Sequence, residues 1–189
     1  THRAIALSEL VDVPIMIVHV SGREAVEQIR WARAHGLNVF AETCPQYLFL
    51  SAEDLGIDPD DPMHGARCIC SPPPRDKANQ QFIWNALASG LFTVFSSDHA
   101  PFNIDGPDGK RVAGDDASFD RIPNGIPGIE TRLALLFSAG VNGGLISLQK
   151  FADLTAGAPA RLFGLHPRKG RIAVGADADI AIWDPDRSV

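Results

Sequence analysis

The chain has 189 residues, 45% of them apolar, and a formal net charge of −6, so it is long enough to bury a core and ordinary in composition for a globular domain. No window approaches the roughly 18 uninterrupted apolar residues of a spanning helix, and the first residues lack the basic-then-apolar pattern of a secretion signal, which reads as a cytoplasmic protein with no membrane role. Acidic balance with scattered Lys and Arg argues against a nucleic-acid partner, because neutralising phosphates needs a basic face.

In chain order, the first element is a helix over Arg3–Leu10, stopped by Val13 and Pro14. The sequence begins at Thr1, within this expected helix, and ends just after a strand-like run, so a fragment of a larger protein is expected. Ile15–Val20 is a short apolar run that reads as a buried strand and delivers His19 at its tip. A lone His there is either a hydrogen-bonded core residue or a metal ligand. Ser21 followed by Glu24 has the spacing of a capping box, with Ala25, Ile29 and Ala32 on the inner face of a helix closed by Gly36. Leu37–Glu42 repeats the strand pattern. Residues 51–66, rich in Asp, Pro and Gly, read as loop with short helical turns.

Arg67–Cys70 reads as a brief extended piece leading into Ser71 and three consecutive prolines. Prolines fix φ and hold the residue before them extended, so the backbone groups of Ser71 are presented rigidly, either to a ligand or simply on a stiff surface loop. A helix is expected from Asn79 to Ala88, with Phe82, Ile83, Leu87 and Trp84 as its inward candidates. Next comes Leu91–Asn103 (LFTVFSSDHAPFN), an apolar β-branched run that stops at Asp98 and His99 and is broken by Pro101. A near-continuous apolar run suits a parallel strand covered on both faces, and the C-terminal ends of such strands are where α/β barrels keep their chemistry. Asp98 either does that chemistry or caps the turn that follows.

Residues 104–121, dense in Gly and Asp, read as a flexible, solvated excursion. Ile122–Leu133 packs prolines and glycines around Asn124, which specifies a tight loop of the kind that often lines a site. Helices follow at Thr131–Ser138, Leu148–Thr155 and from Ala158, with Pro159 in its first turn. Ile172–Val174 and Ile180–Trp183 then read as paired strands of a separate β layer, with a boundary near residue 167. Cys44, Cys68 and Cys70 are odd in number and form no C-x-x-C pair, so buried, reduced thiols are expected rather than disulfides or a thiolate zinc cage.

Six segments in this order, Val18–Ser21 (VHVS), Ala41–Leu48 (AETCPQYL), Cys70–Lys77 (CSPPPRDK), Ser97–Phe102 (SDHAPF), Asn124–Arg132 (NGIPGIETR) and Gly175–Asp179 (GADAD), resemble the dihydropyrimidinase and D-hydantoinase branch of the amidohydrolase superfamily. Each is weak alone; together they run almost the whole chain. The resemblance implies an α/β fold in which residues 1–167 are the last strands and helices of a (β/α)8 TIM barrel and residues 168–189 begin a small C-terminal β-sandwich. It implies a metal-dependent hydrolase that opens the ring of a cyclic imide or ureide, a dihydropyrimidine or a 5-substituted hydantoin, to an N-carbamoyl amino acid.

In that family a binuclear zinc centre is held by a His-x-His pair, a carboxylated Lys, two further His and one Asp. His19 matches the second of the later histidines and Asp98 the Asp; no segment here matches the other ligands, nor the family's substrate-orienting Tyr, since Tyr47 lies in a different motif. Ser71 and Asn124 fall where the family grips the substrate's amide with backbone groups, and His99 either orients Asp98 or packs. The residue types suit the chemistry: zinc lowers the pKa of bound water to about 7 and polarises a carbonyl, and Asp98 serves as general base and then general acid. Homo-oligomers, tetramers in the family, are implied. Allantoinase and dihydroorotase share the metal apparatus, and the collapsin-response-mediator relatives use the fold as a non-catalytic assembly protein. A chain holding only His19 and Asp98 of the ligand set is expected to be inactive alone.

Overall fold

Three short parallel strands organise the computed structural model, which describes residues 1–56 and 58–187. Strand β1 (Ile15–Ile17) pairs with β2 (Val39–Thr43), in register Ile15 to Val39, and β2 pairs in turn with β3 (Val94–Phe95), Glu42 facing Val94. The sheet order is β1-β2-β3. Parallel neighbours need a crossover, and helices supply it: α1 (His2–Val11) precedes β1, and α2 (Arg23–Ala34) links β1 to β2. After the short α3 (Gln46–Phe49), α4 (Lys77–Ala88) links β2 to β3. This is an α/β chain with a parallel sheet, and among the described residues no helix is long and apolar enough to cross a membrane.

The helices form where their apolar spacing can be buried. In α2, Val26, Ile29 and Ala32 face inward, and in α4, Ile83, Trp84, Ala86 and Leu87 do; they meet Val39 and Ala41 of β2, Phe95 of β3, and Leu91 and Phe92 just before β3 in one core. Phe82, an inward candidate, sits a step around the helix from that stripe and lies at the surface, with the guanidinium of Arg23 4.8 Å from its ring centre. The capping box at Ser21 and Glu24 does not form. Gly22 is the N-cap of α2, and the first turn is capped instead by α4, where Asn79 Oδ1 accepts the Arg23 amide at 2.8 Å. Ser21 is buried and its hydroxyl accepts from Arg75 Nε at 3.3 Å. A tertiary partner has replaced the local one.

Three further segments differ from expectation. The stretch expected to be extended at 67–70 is largely a 3₁₀ turn, Gly65–Cys68, set against a second such turn, Ala52–Leu55. The two approach so closely that a Cβ on Gly65 would stand 2.5 Å from the Leu55 carbonyl oxygen. The 104–121 excursion is pinned, not free: the amides of Lys110 and Arg111 donate to the carbonyls of Asn103 and Ile104 at 2.9 Å each. Arg111 also pairs with Asp105 and Asp115, so part of the acidic run is neutralised within the loop.

Beyond the short α5 (Arg132–Leu135) and α6 (Leu148–Ala152) the helices widen into π turns, at Leu136–Asn142 and Asp153–Gly157, before α7 (Ala158–Leu162). In the tail, the segments 172–174 and 180–183 carry no strand pairing; strands without a neighbour have nowhere to place their backbone groups but water. What holds the tail is Trp183, stacked on Phe137 at 4.8 Å and edge-on to Phe151 at 5.3 Å. Lys169 adds an ion pair to Asp177 at 2.9 Å.

Candidate functional site

Because the strands are parallel, their C-terminal tips share one edge of the sheet, and the candidate residues cluster there. His19 follows β1 by two residues and Asp98 follows β3 by three, with β2 between them. Strand spacing places such tips about 10 Å apart in backbone. Both residues have positive φ, 40° at His19 and 46° at Asp98; Asp12, which ends α1, is the other non-glycine residue described in this region. A left-handed backbone costs a non-glycine residue about 1–2 kcal/mol, and such strain gathers where a side chain must be aimed.

What holds the His19 backbone is a residue the sequence reading passed over. Glu42, on β2, is 3% exposed. One of its carboxylate oxygens accepts the His19 amide, and the other accepts the Ser96 hydroxyl and the Cys44 thiol. The Glu42 carbonyl also takes the Val20 amide at 2.9 Å, and the Thr43 hydroxyl donates to the Val20 carbonyl at 2.8 Å. The β1 tip is thus sewn to β2. Burial and then the neighbouring Glu42 charge push the Cys44 thiol far above its ordinary range, so it stays protonated and donates. A buried carboxylate fed by several donors was readable in principle, as an acid at the end of an apolar strand.

Ser71 and Asn124 come from loops 53 residues apart and touch: Asn124 Nδ2 donates to Ser71 Oγ at 2.7 Å. Among the described residues neither backbone is hydrogen-bonded at these two positions, which leaves amide and carbonyl groups exposed on a rigid frame. The frame has three supports. Gly125 donates to the Ile69 carbonyl at 3.0 Å. Tyr47 donates its phenol to the Pro72 carbonyl at 3.0 Å. Lys110, 2% exposed, donates its ammonium to the carbonyls of Pro123 at 3.0 Å and Ile69 at 3.4 Å. Burial lowers the Lys110 pKa and raises that of Tyr47. Burial, followed by the charge of Asp98, pushes the Cys70 thiol up to about 11.

A cavity of about 330 Å³ opens beside this pair, lined by Leu55, Ile69, Phe119 and Ile122 with Ser71 and Asn124 at its polar side. His99 faces the loop, not Asp98. Its Nδ1 accepts the amides of Gly128 at 3.0 Å and Ile129 at 3.2 Å, and the Ala100 amide bonds the Ile126 carbonyl at 3.1 Å. The Asp98 strand therefore anchors the Asn124 loop. Arg132 adds to this by donating to the Phe95 carbonyl at 2.6 Å.

An imidazole and a carboxylate are donor types that suit a first-row divalent ion, and two strands' separation suits ligands of neighbouring ions better than of one. Among the described residues no group of three or more His, Cys, Asp or Glu is placed to hold a metal ion. The pair fits part of a coordination sphere.

A model of the amidohydrolase family matches residues 17–188. A D-hydantoinase of Rhizobium radiobacter is 46% identical over 186 residues, 98% of this chain and 39% of that protein. Among solved structures, the dihydropyrimidinase of Brevibacillus agri NCHU1002 superposes with a TM-score of 0.86 at 48% identity, covering 94% of this chain and 37% of the other. A D-hydantoinase of a Bacillus sp. AR9 gives 0.87 at 46% identity, with 94% and 38% covered. The chain spans under two fifths of the length of these three relatives.

Proposed function

This chain belongs to the amidohydrolase family, and on that premise we propose that the full-length protein is a metal-dependent cyclic amidohydrolase of the D-hydantoinase and dihydropyrimidinase type. Its reaction would open a dihydropyrimidine or a 5-substituted hydantoin to the N-carbamoyl amino acid. The observation that carries the reading is the arrangement of the sheet edge: His19 and Asp98 at strand tips, both in left-handed backbone, beside a Ser71–Asn124 frame with free backbone groups. A cyclic ureide offers alternating N–H and C=O groups, the complement of such a frame.

His19 as neutral imidazole and Asp98 as carboxylate would hold the metal, which we take to be a zinc pair completed by ligands from parts of the protein beyond these residues, a carboxylated lysine among them. When bound, the metal supplies a nucleophile at neutral pH and a polarised carbonyl. Asp98 takes a proton from the attacking water and hands it to the ring nitrogen as the amide bond breaks. Ser71 and Asn124 hold the ring so that one carbonyl meets the nucleophile, a positioning effect of several kcal/mol. The adjoining cavity is of a size that small-molecule sites have.

On the same reading we take β1, β2 and β3 as successive strands of a barrel, and the tail from residue 168 as the start of a β-sandwich whose partner strands would lie elsewhere in the protein. We further propose that the protein is a cytoplasmic homo-oligomer. The test is the purified full-length protein with dihydrouracil and hydantoin. Release of the N-carbamoyl acid with about two zinc per chain is the expected result. Metal-free protein without ring-opening activity would instead favour a non-catalytic assembly role.

A further inference from the structure

We propose that Glu42 is a positioning residue of the metal rim, joining through one buried carboxylate the two strand tips that carry His19 and Asp98. This deepens the preceding reading and rests on it. The sheet order gives the reason: β2 lies between β1 and β3, so a side chain at its C-terminal end is the one able to reach both neighbours. Glu42 does so. Toward β1 it accepts the amide of His19 itself, the residue whose φ is 40°. Toward β3 it accepts the hydroxyl of Ser96, two residues before Asp98, whose φ is 46°.

An ionised carboxylate has four lone-pair sites and no donor, so it can serve the His19 amide, the Ser96 hydroxyl and the Cys44 thiol at once. A neutral amide cannot accept from all three, since it has one accepting oxygen. Turned toward Ser96, its nitrogen meets the His19 amide donor to donor; turned toward His19, it must reverse the bonds to the Ser96 hydroxyl and the Cys44 thiol, a weak acceptor. A buried acid with only these partners is costly to keep unless the geometry it enforces is used. Its two oxygens are taken up by the His19 amide, the Ser96 hydroxyl and the Cys44 thiol, so it acts through the backbone of one proposed ligand and through the strand end of the other. Partners of ligands at this remove typically change metal affinity or activity 10–100-fold when removed.

The experiment uses the full-length protein and its Glu42→Gln, Glu42→Asp and Glu42→Ala variants. It reads zinc affinity by chelator competition, kcat and KM for hydantoin, and the far-ultraviolet circular dichroism of each variant. Folded Glu42→Gln is expected to release zinc at roughly 10-fold lower chelator concentration and to lose about 10-fold or more in kcat with KM little changed; Glu42→Asp should recover part of both. If Glu42→Ala fails to fold, the near-isosteric Gln variant decides. Folded Gln variant with parental zinc affinity and kcat overturns the inference alone, provided that His19→Ala and Asp98→Ala lose metal. If those two variants bind zinc as tightly as the parent, or if the parent binds zinc no better than a protein without the site, the functional reading falls and this inference falls with it.

Discussion

At the scale of single residues, Asp98 carries the proton chemistry in the proposed reaction. Asp98→Asn keeps the shape and removes the base. It is expected to cut kcat by about 10²–10⁴, read in steady-state ring opening by the full-length protein. Lys110 is a different kind of residue. It is buried against the carbonyls of Pro123 and Ile69, each next to a residue of the proposed Ser71–Asn124 substrate frame or one removed from it. Lys110→Met preserves the stem and leaves those carbonyls unpaired, at about 1–3 kcal/mol. A lower denaturation midpoint and a raised KM with kcat nearly unchanged are expected, since the loss is in the grip and not in the proton step.

The thiol of Cys70 gives a pH dependence with a definite sign. Its folded pKa is raised from 9.0 to about 11, first by burial and then by the charge of Asp98. The folded state therefore holds the thiol proton more tightly than the unfolded state does. That contribution to stability is fully present below 9.0 and disappears as the pH rises through about 11. Denaturant midpoints measured across this window should fall for the parent, and Cys70→Ala should flatten part of the fall. The same raised pKa makes Cys70 slow to alkylate in the native protein, because the thiolate is the nucleophile.

At the scale of elements, what the sequence carried was periodicity. The apolar runs at Ile15, Leu37 and Leu91 became strands, and the stripes of Ile29 and Ala32, and of Ile83 and Leu87, became buried helix faces. Those signals are local. The errors fall where a distant partner overrules a local one: Asn79 caps α2 in place of Ser21, and the packing of Gly65 on Leu55 bends an expected extended piece into a 3₁₀ turn. The site was legible in its ends and not in its middle. His19, Asp98, Ser71 and Asn124 stand at chain breaks that a sequence shows, whereas Glu42 and Lys110 matter because of what lies across from them: His19 and Ser96, 23 and 54 residues from Glu42, and Pro123 and Ile69, 13 and 41 residues from Lys110.

Gly125 tests whether the Asn124 loop is held as described. Its φ is +147°, and a Cβ there would lie 2.5 Å from both Cβ and carbonyl oxygen of Ala100. Gly125→Ala must strain the backbone, at about 1–3 kcal/mol, and push the loop off the Asp98 strand. The Asn124–Ser71 bond then opens. A rise in KM larger than that of Lys110→Met, together with a lowered melting temperature, is the expected result; an unchanged KM would show that the loop does not grip the substrate.

At the scale of the whole molecule, the sheet has two open sides. Strand β1 pairs only with β2, and so does β3, so among the described residues their outer backbone groups have no ladder partner. Val18, beside His19, is exposed, and farther along the chain Val174 and Ile182 stand at 103% and 95% of full exposure. Unpaired strand edges and scattered apolar side chains favour association with whatever can cover them. Two candidate ligands cannot hold two ions in the absence of the rest of a coordination sphere. The 189-residue chain produced by itself is therefore expected to bind zinc weakly, to turn over neither hydantoin nor dihydrouracil, and to sediment as concentration-dependent aggregates that bind a hydrophobic dye. The full-length protein, treated identically, should bind little dye and keep its metal through gel filtration. Turnover by the separate chain would mean that His19 and Asp98 suffice for the reaction, and the proposed division of labour between this chain and the rest of the protein would have to be abandoned.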